Sequence, residues 1–528
     1  MTRPDRLCCA SCKFVMMNQP FNSLTPAREP HAPDAERSTS RLRLLIVVLI
    51  VLMIVRLVGL HFSVVDLFYD ESQYWSWAQD PALGYFSKPP LLAWLLTGVH
   101  HACGDSEWCT RAPGPVIYTA TAFVVYSIGR QLYGEQTGFW AGLLTAFTPG
   151  IVFSSRIIST DIPLLFFWSV ALLAYVKILL QPHKGWGIVL GLAMGLGLLS
   201  KYAMIYFVPG MLLAALLSAR ARGVLRHPAI WLALPIAVIV VLPNVAWNVA
   251  NSFATFRHTG GLVAGEPFRP SLLRALEFLA SQFAVAGPVI FAIMLALIVR
   301  PKSRSLLEQD RLMAAFFIPP IVAVAAFAVY SRAYANWASP AVVSGIIAGA
   351  AILLRLDRRN WLWGSVALGV AIQLVLLASD AVATRLPGRI AGLQNPYNRT
   401  LGWRRYAEAT GELATRIGAR YIASDDRRAF NTLRYYWRGK RETVVSWHAG
   451  DEPPYDFAHP LSDSTSEPIL FVTRCPNAHR LREFYGNVEP LGVVPDMSES
   501  RAQHSFAFRL EQRRSAIREL GPCVAEQG

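Results

Sequence analysis

"VVDLFYDESQYWSWAQDPALGYFSKPPLLAW", residues 64–94, places two adjacent carboxylates, Asp70 and Glu71, ahead of a dense run of Tyr and Trp. One cation, Lys88, and the pair Pro89–Pro90 follow. Directly upstream, 43–61 is apolar over enough residues to cross a bilayer as a helix. An acid pair, an aromatic belt and a lone lysine thus sit just beyond a first membrane span, where polar groups have access to water and to lipid headgroups together.

Composition agrees. Of 528 residues, 53% are hydrophobic and 16% charged, whereas a soluble domain carries about 25% charged residues. The net charge of +15 comes from Lys and Arg lying between apolar runs, where such charges set orientation. They form no basic face of a soluble domain, so nucleic acid is excluded as a partner. The polar, Pro- and Ser-rich segment 1–41 reads as a disordered cytosolic tail. Its Cys9-x-x-Cys12 lacks a second Cys or His pair for a zinc site. No apolar signal core precedes residue 44, so the first span is expected to be retained.

Further apolar runs lie near 112–131, 137–155, 160–180, 186–200, 203–219, 229–249, 276–299, 312–330, 337–355 and 361–381, giving about eleven spans with the first. The short pair around Lys201 also suits a re-entrant element. With the N-terminus in the cytoplasm, "RQLYGEQ", "QPHKGW", "ARARGVLRH", "RPKSRSLLEQDR" and "RLDRRN" all fall inside, as the positive-inside rule requires. The expectation is therefore a mainly α, multi-pass membrane protein. Its membrane domain covers 42–382, and a small external α/β domain covers 383–528. In that domain "GWRRYAEATGELATRIGARYIASDD" reads as an amphipathic helix followed by a strand, and "EPILFVTRC" as a buried strand. Cys103 and Cys109 share the first external loop, Cys475 and Cys523 the external domain. An oxidising compartment allows each pair to close.

Ionisable residues near membrane depth are costly and usually functional. Here they gather on the outer side: Asp70, Glu71, Lys88, Arg111, Arg156, Asp161, Lys201, Arg257, His258 and Arg332 with Asn336. A carboxylate there can take a proton from an attacking hydroxyl. Cations can hold a phosphate and stabilise the charge that grows on it as it departs. The substrate so described is a lipid-linked phosphate. Trp75 and Trp77 read first as anchors at the membrane interface.

"YDESQYWSWAQDPALGYFSKPPLLAW" resembles the first external loop of the polytopic GT-C glycosyltransferases of family 39, in the branch related to aminoarabinose transferases and rhizobial lipopolysaccharide glycosyltransferases. "GDSEWCTRAPGPV", "STDIPLLFFW", "GLGLLSKYAMIYFVPG", "LPNVAWNVANSFATFRH" and "ANWASPA" continue the likeness in order through most of 66–345, and "LGWRRYAEA" extends it beyond. The resemblance implies a GT-C bundle with a helical element in loop one. It also implies inverting transfer of one sugar from a polyprenyl-phosphate donor to a hydroxyl of an envelope lipid, such as lipid A or the lipopolysaccharide core. Carried over by position, Asp70 matches the catalytic base, with Glu71 beside it, and Asp161 a second acid. Lys88 matches a lysine on the lipid phosphate; Arg257, His258, Lys201 and Arg332 are further candidates for donor binding. Aminoarabinose transferases carry a Glu before that lysine, associated with a metal; here it is Ser87, so no metal is assigned and no cofactor is required. A transporter or flippase of lipid-linked saccharides and a protein O-glycosyltransferase are the rival readings. No internal repeat of the kind many transporters carry is visible.

Overall fold

The computed structural model describes residues 32–264, 270–300, 306–390, 393–448, 455–494, 505–521 and 523. The chain is mainly helical. Five helices are long and apolar enough to cross a membrane: Thr39–His61, Asp161–Leu180, Pro228–Ala250, Glu308–Tyr330 and Arg359–Ala381. Every one of the eleven apolar runs carries helix, though several, such as Lys184–Ser200 and Ala341–Arg355, are short. The first helix starts at Ala32, ahead of the expected boundary at 42. Residues 1–31, with Cys9 and Cys12, lie outside the described residues.

Burial sorts the helices. The most apolar window of Asp161–Leu180 is 72% buried and that of Pro228–Ala250 only 22%. The former is therefore a central helix. The latter turns Trp231, Leu234, Ile239 and Leu242 outward, an apolar face of the kind that meets lipid. Lys184–Ser200 packs closely on it: a Cβ on Gly187 would lie 2.3 Å from the Ala229 carbonyl oxygen. Small residues allow such backbone approach between membrane helices.

Two runs expected to be single spans are broken. Glu135–Phe147 and Pro149–Ser154 are separated at Thr148, and Leu272–Val285 and Pro288–Val299 at Ala286–Gly287. In each, proline removes an intrahelical donor and begins a new helix at its first turn; Gly287 supplies the left-handed turn at φ 87°. The breaks meet, Gly150 lying against the Val285 backbone and Gly287 against Pro149. A charge missed as structural also holds the bundle. Buried Arg56 donates to Gln373 Oε1 (2.9 Å) and to the Ala146 carbonyl (2.6 Å), tying three helices together.

The C-terminal part builds a five-stranded mixed sheet in the order Val444–Ser446, Tyr421–Ser424, Ile469–Thr473, Ser505–Arg513, Tyr485–Val494. The first three are parallel and the rest antiparallel. Trp403–Arg416 and Arg427–Tyr436 cover one face through Tyr406, Phe430 and Leu433. Trp447, Phe471, Phe484 and Leu510 fill the other. The helix and both strands anticipated from the sequence are present. Cys103–Cys109 and Cys475–Cys523 are bonded.

Candidate active site

The stretch 64–94 folds into a helix, Tyr69–Gln79, a proline-bounded turn carrying Lys88, and the apolar helix Leu91–Cys103. Its two acids point to different fates. Glu71 is 1% exposed. Arg111 grips it with two bonds, Nε to Oε1 at 2.9 Å and Nη2 to Oε2 at 2.7 Å, while the Ile158 and Phe68 amides donate at 2.8 and 2.9 Å. Burial alone would lower the Arg111 pKa, but the Glu71 charge and hydrogen bonds outweigh it and raise it above the ordinary arginine value. With four donors on two buried oxygens, Glu71 is a fastening between loop one and its neighbours.

Asp70, the residue before, faces another side of the helix, as a 100° step per residue requires. Its side chain is about one-third exposed and forms an ion pair with Arg427, whose Nη2 lies 3.2 Å from Oδ1. Gln73 Oε1 accepts from the same guanidinium at 2.9 Å.

Asp161 opens its helix and collects three side-chain donors: Lys201 Nζ (2.9 Å) and Ser339 Oγ (2.7 Å) on Oδ1, and Asn336 Nδ2 (2.7 Å) on Oδ2. Three distant segments meet at this carboxylate, two residues after which Pro163 falls in the helix's first turn.

Two cavities flank the Asp161–Lys201 pair. One, of about 440 Å³, is lined by Lys88, Lys201, Tyr202, Tyr206, Phe327 and Trp337 among others. The second, of about 410 Å³, has Asp161, Asn336 and Ser339 on its wall together with Phe153, Leu165 and Val342. Its floor is Thr148, Gly150 and Val285, where the two broken helices meet. Lys88 has no ion-pair partner among the described residues. Burial and then the neighbouring Lys201 pull its pKa below the ordinary lysine value, while Asp70 and Asp161 pull it back up. Lys88 lines the first cavity together with Lys201, the partner of Asp161, and Arg427, which is paired with Asp70, lies 5.8 Å from the ring of Phe86, two residues before Lys88.

His258 stands beside it, its ring 4.8 Å from that of Phe86. Burial, then the fields of Lys88 and Arg427, hold its pKa down to about 4. It is a neutral imidazole at neutral pH, able to hydrogen-bond a phosphate but adding no positive charge. Arg257 is exposed on the same helix, and Arg332 is exposed with its guanidinium 5.7 Å from the Tyr334 ring at the rim of the second cavity. Neither lines either cavity.

The aromatic run has another role than the one expected. Trp75 and Trp77 are 0% and 6% exposed. Trp75 meets Tyr435 edge-on at 5.1 Å, and Trp77 stacks on Tyr85 at 4.5 Å. They are packed inside the protein and do not face a lipid interface. Ser87, directly before Lys88, has a buried hydroxyl without a hydrogen-bond partner among the described residues. Ser87 offers a hydroxyl where a carboxylate would be needed, and no trio of His, Cys, Asp or Glu among the described residues could hold an ion.

Arg427 is the site residue that sequence reasoning missed. It lies 357 positions from Asp70, in a segment without a local motif, so only the fold reveals it.

The comparisons agree with this architecture. Residues 87–247 match the dolichyl-phosphate-mannose-protein mannosyltransferase family. Lipid A galacturonosyltransferase RgtD of Rhizobium johnstonii is 35% identical over 424 residues, 79% of this chain and 88% of that protein. Lipopolysaccharide core galacturonosyltransferase RgtB of the same organism is 26% identical over 46% of this chain and 51% of its own length. The crystal structure of ArnT from Cupriavidus metallidurans bound to undecaprenyl phosphate superposes with a TM-score of 0.61 at 16% identity, covering 89% of this chain and 98% of that one. A relative of that identity along most of both chains, with a bundle of that shape, places this protein among its kin: the chain belongs to the GT-C glycosyltransferases of family 39.

Proposed function

We propose that this membrane glycosyltransferase moves one sugar, with inversion, from a polyprenyl-phosphate donor to a hydroxyl of an envelope lipid. The names of its rhizobial relatives support a uronosyl unit as the sugar and lipid A or lipopolysaccharide as the acceptor. The undecaprenyl phosphate bound to the ArnT fold supports the donor class. The distribution of positive charge supports an inner-membrane protein with a cytoplasmic N-terminus and the site and C-terminal unit in the periplasm.

The observation that carries this reading is that Lys88 and Lys201 line one largely apolar cavity, with Asp161 2.9 Å from Lys201 at its edge. In the proposed step Asp70 takes the proton from the acceptor hydroxyl. That oxygen bonds to the anomeric carbon from the face opposite the phosphate. The bond from carbon to phosphate oxygen breaks, and its electron pair leaves on the polyprenyl phosphate. Lys88, with Lys201 behind it, offsets that charge; hydrogen bonds to charged groups are worth about 1.5–3 kcal/mol each. Asp161 holds Lys201 in place and borders the second cavity, whose apolar wall suits an acyl chain of the acceptor. Glu71 is reassigned from the chemistry to the scaffold.

The test is direct. Purified protein incubated with labelled polyprenyl-phosphate sugar and lipid A should release polyprenyl phosphate and label the lipid. A transporter or flippase would leave the donor whole, and a protein O-glycosyltransferase would label only a polypeptide.

A further inference from the structure

The C-terminal unit docks on loop one. Along Arg427–Tyr436, Arg434 donates to Asp80 (3.0 Å), the Tyr435 ring meets Trp75, and the Tyr436 hydroxyl joins the Leu67 amide (2.7 Å) and Glu107 (2.6 Å). Asp426 caps this helix through the Arg428 and Ala429 amides at 2.7 and 3.1 Å. These contacts fix where the first residues of the helix stand against Asp70.

What they present is an excess of positive charge. Arg427 Cζ lies 5.5 Å from the Tyr69 ring and 5.8 Å from the Phe86 ring. Arg428 Cζ is 5.4 Å from Tyr69. Arg399 donates to the Tyr69 hydroxyl at 3.0 Å and covers Phe68 at 4.8 Å. Three guanidiniums thus surround one tyrosine. Among the described residues only Arg427 meets a carboxylate, and that carboxylate is Asp70. A guanidinium has five N–H donors in a planar fork suited to carboxylates. The side-chain hydrogen bonds of Arg427 to Asp70 and Gln73 occupy two of them. Lys88 and Lys201, which line the first cavity, already supply positive charge for the donor phosphate. A second cationic wall beside the base calls for a second anionic group on the substrate.

We propose that Arg427 is a specificity-determining residue, contributed by the C-terminal unit, which binds the carboxylate of the transferred sugar, with Arg399 and Arg428 supplying the surrounding positive field. This rests on the transferase reading above. It makes the C-terminal unit part of the active site and the donor a uronosyl phosphate lipid.

The experiment compares kcat/KM of the full-length protein for two donors that differ only at C6, undecaprenyl-phosphate-linked galacturonic acid and galactose, with lipid A as acceptor. Wild type should prefer the uronosyl donor roughly 10- to 100-fold, the range of a single charged hydrogen bond. Arg427→Gln should lower uronosyl transfer at least tenfold more than galactosyl transfer, and Arg427→Lys should restore part of the preference. Equal losses for both donors would mean that Arg427 acts only through Asp70, overturning the assignment; so would a wild type without preference. Should Arg427→Gln fail to fold, the double variant Arg399→Gln/Arg428→Gln must still reduce the preference severalfold, and an unchanged preference would overturn the proposal. A wild type that consumes neither donor defeats the transferase reading itself, a result distinct from the others.

Discussion

Two neighbouring acids, Asp70 and Glu71, show how far residue type falls short of residue role. Glu71 has a fully paired carboxylate inside the protein, so Glu71→Gln leaves Arg111 buried without its counter-charge. Breaking such a pair costs about 3–5 kcal/mol, and thermal unfolding in detergent should register it. Asp70 keeps about one-third of its side chain in solvent, and an ion pair so exposed contributes little to stability. Asp70→Asn should therefore unfold like wild type. Lys88 gives a pH signature. Its lowered pKa means that rising pH discharges it sooner than an exposed lysine. Donor KM should rise along an alkaline limb that Lys88→Arg moves to higher pH, because guanidinium stays charged there. His258, with a pKa of about 4, should contribute no inflection between pH 5 and 8.

At the scale of elements, the loop-one helix Tyr69–Gln79 is held between the bundle and the helix Arg427–Tyr436. Trp75 is the wedge. Trp75→Ala removes a fully buried ring and should cost about 3–5 kcal/mol, raising donor KM as Asp70 and Arg427 lose register. The broken helices matter in the same way: a Cβ at Gly150 would lie 2.8 Å from the Val285 carbonyl oxygen, closer than van der Waals contact allows. Gly150→Val should shift the floor of the second cavity and raise acceptor KM more than donor KM. A lipid-binding assay that found acceptor affinity unchanged would count against an acyl chain there. Hydropathy located these segments but not their breaks, although Pro149 and Pro288 were visible; a window averaged over a span dilutes one missing amide donor.

For the whole molecule, the eleven apolar runs carried most of the helical architecture, and the order of motifs carried the family. Asp161 and Lys201 were each legible as ionisable residues at span ends. Their 2.9 Å contact was not, because periodicity reports a residue's face and says nothing of its partner forty positions away. Trp75 and Trp77 were misread for a related reason: amphipathic aromatics beside a span look alike whether lipid or a second protein layer covers them. Arg56 in the first span and Arg427 in the C-terminal unit depend entirely on tertiary contacts. Orientation is testable independently. Alkaline phosphatase fused after residue 528 should be active in cells, whereas a fusion in "RLDRRN" at 355–360 should not; the reverse would invert the topology and remove the site from the periplasm.

The central claim is that Asp70 is the proton acceptor in a site whose donor phosphate is held by other residues. Its most direct test is single-turnover transfer by Asp70→Asn protein, measured alongside affinity for undecaprenyl-phosphate-linked sugar. A general base contributes about 10²–10⁴ in rate, so transfer should fall at least a hundredfold while donor affinity stays within a few fold. Wild-type turnover from Asp70→Asn would contradict the account.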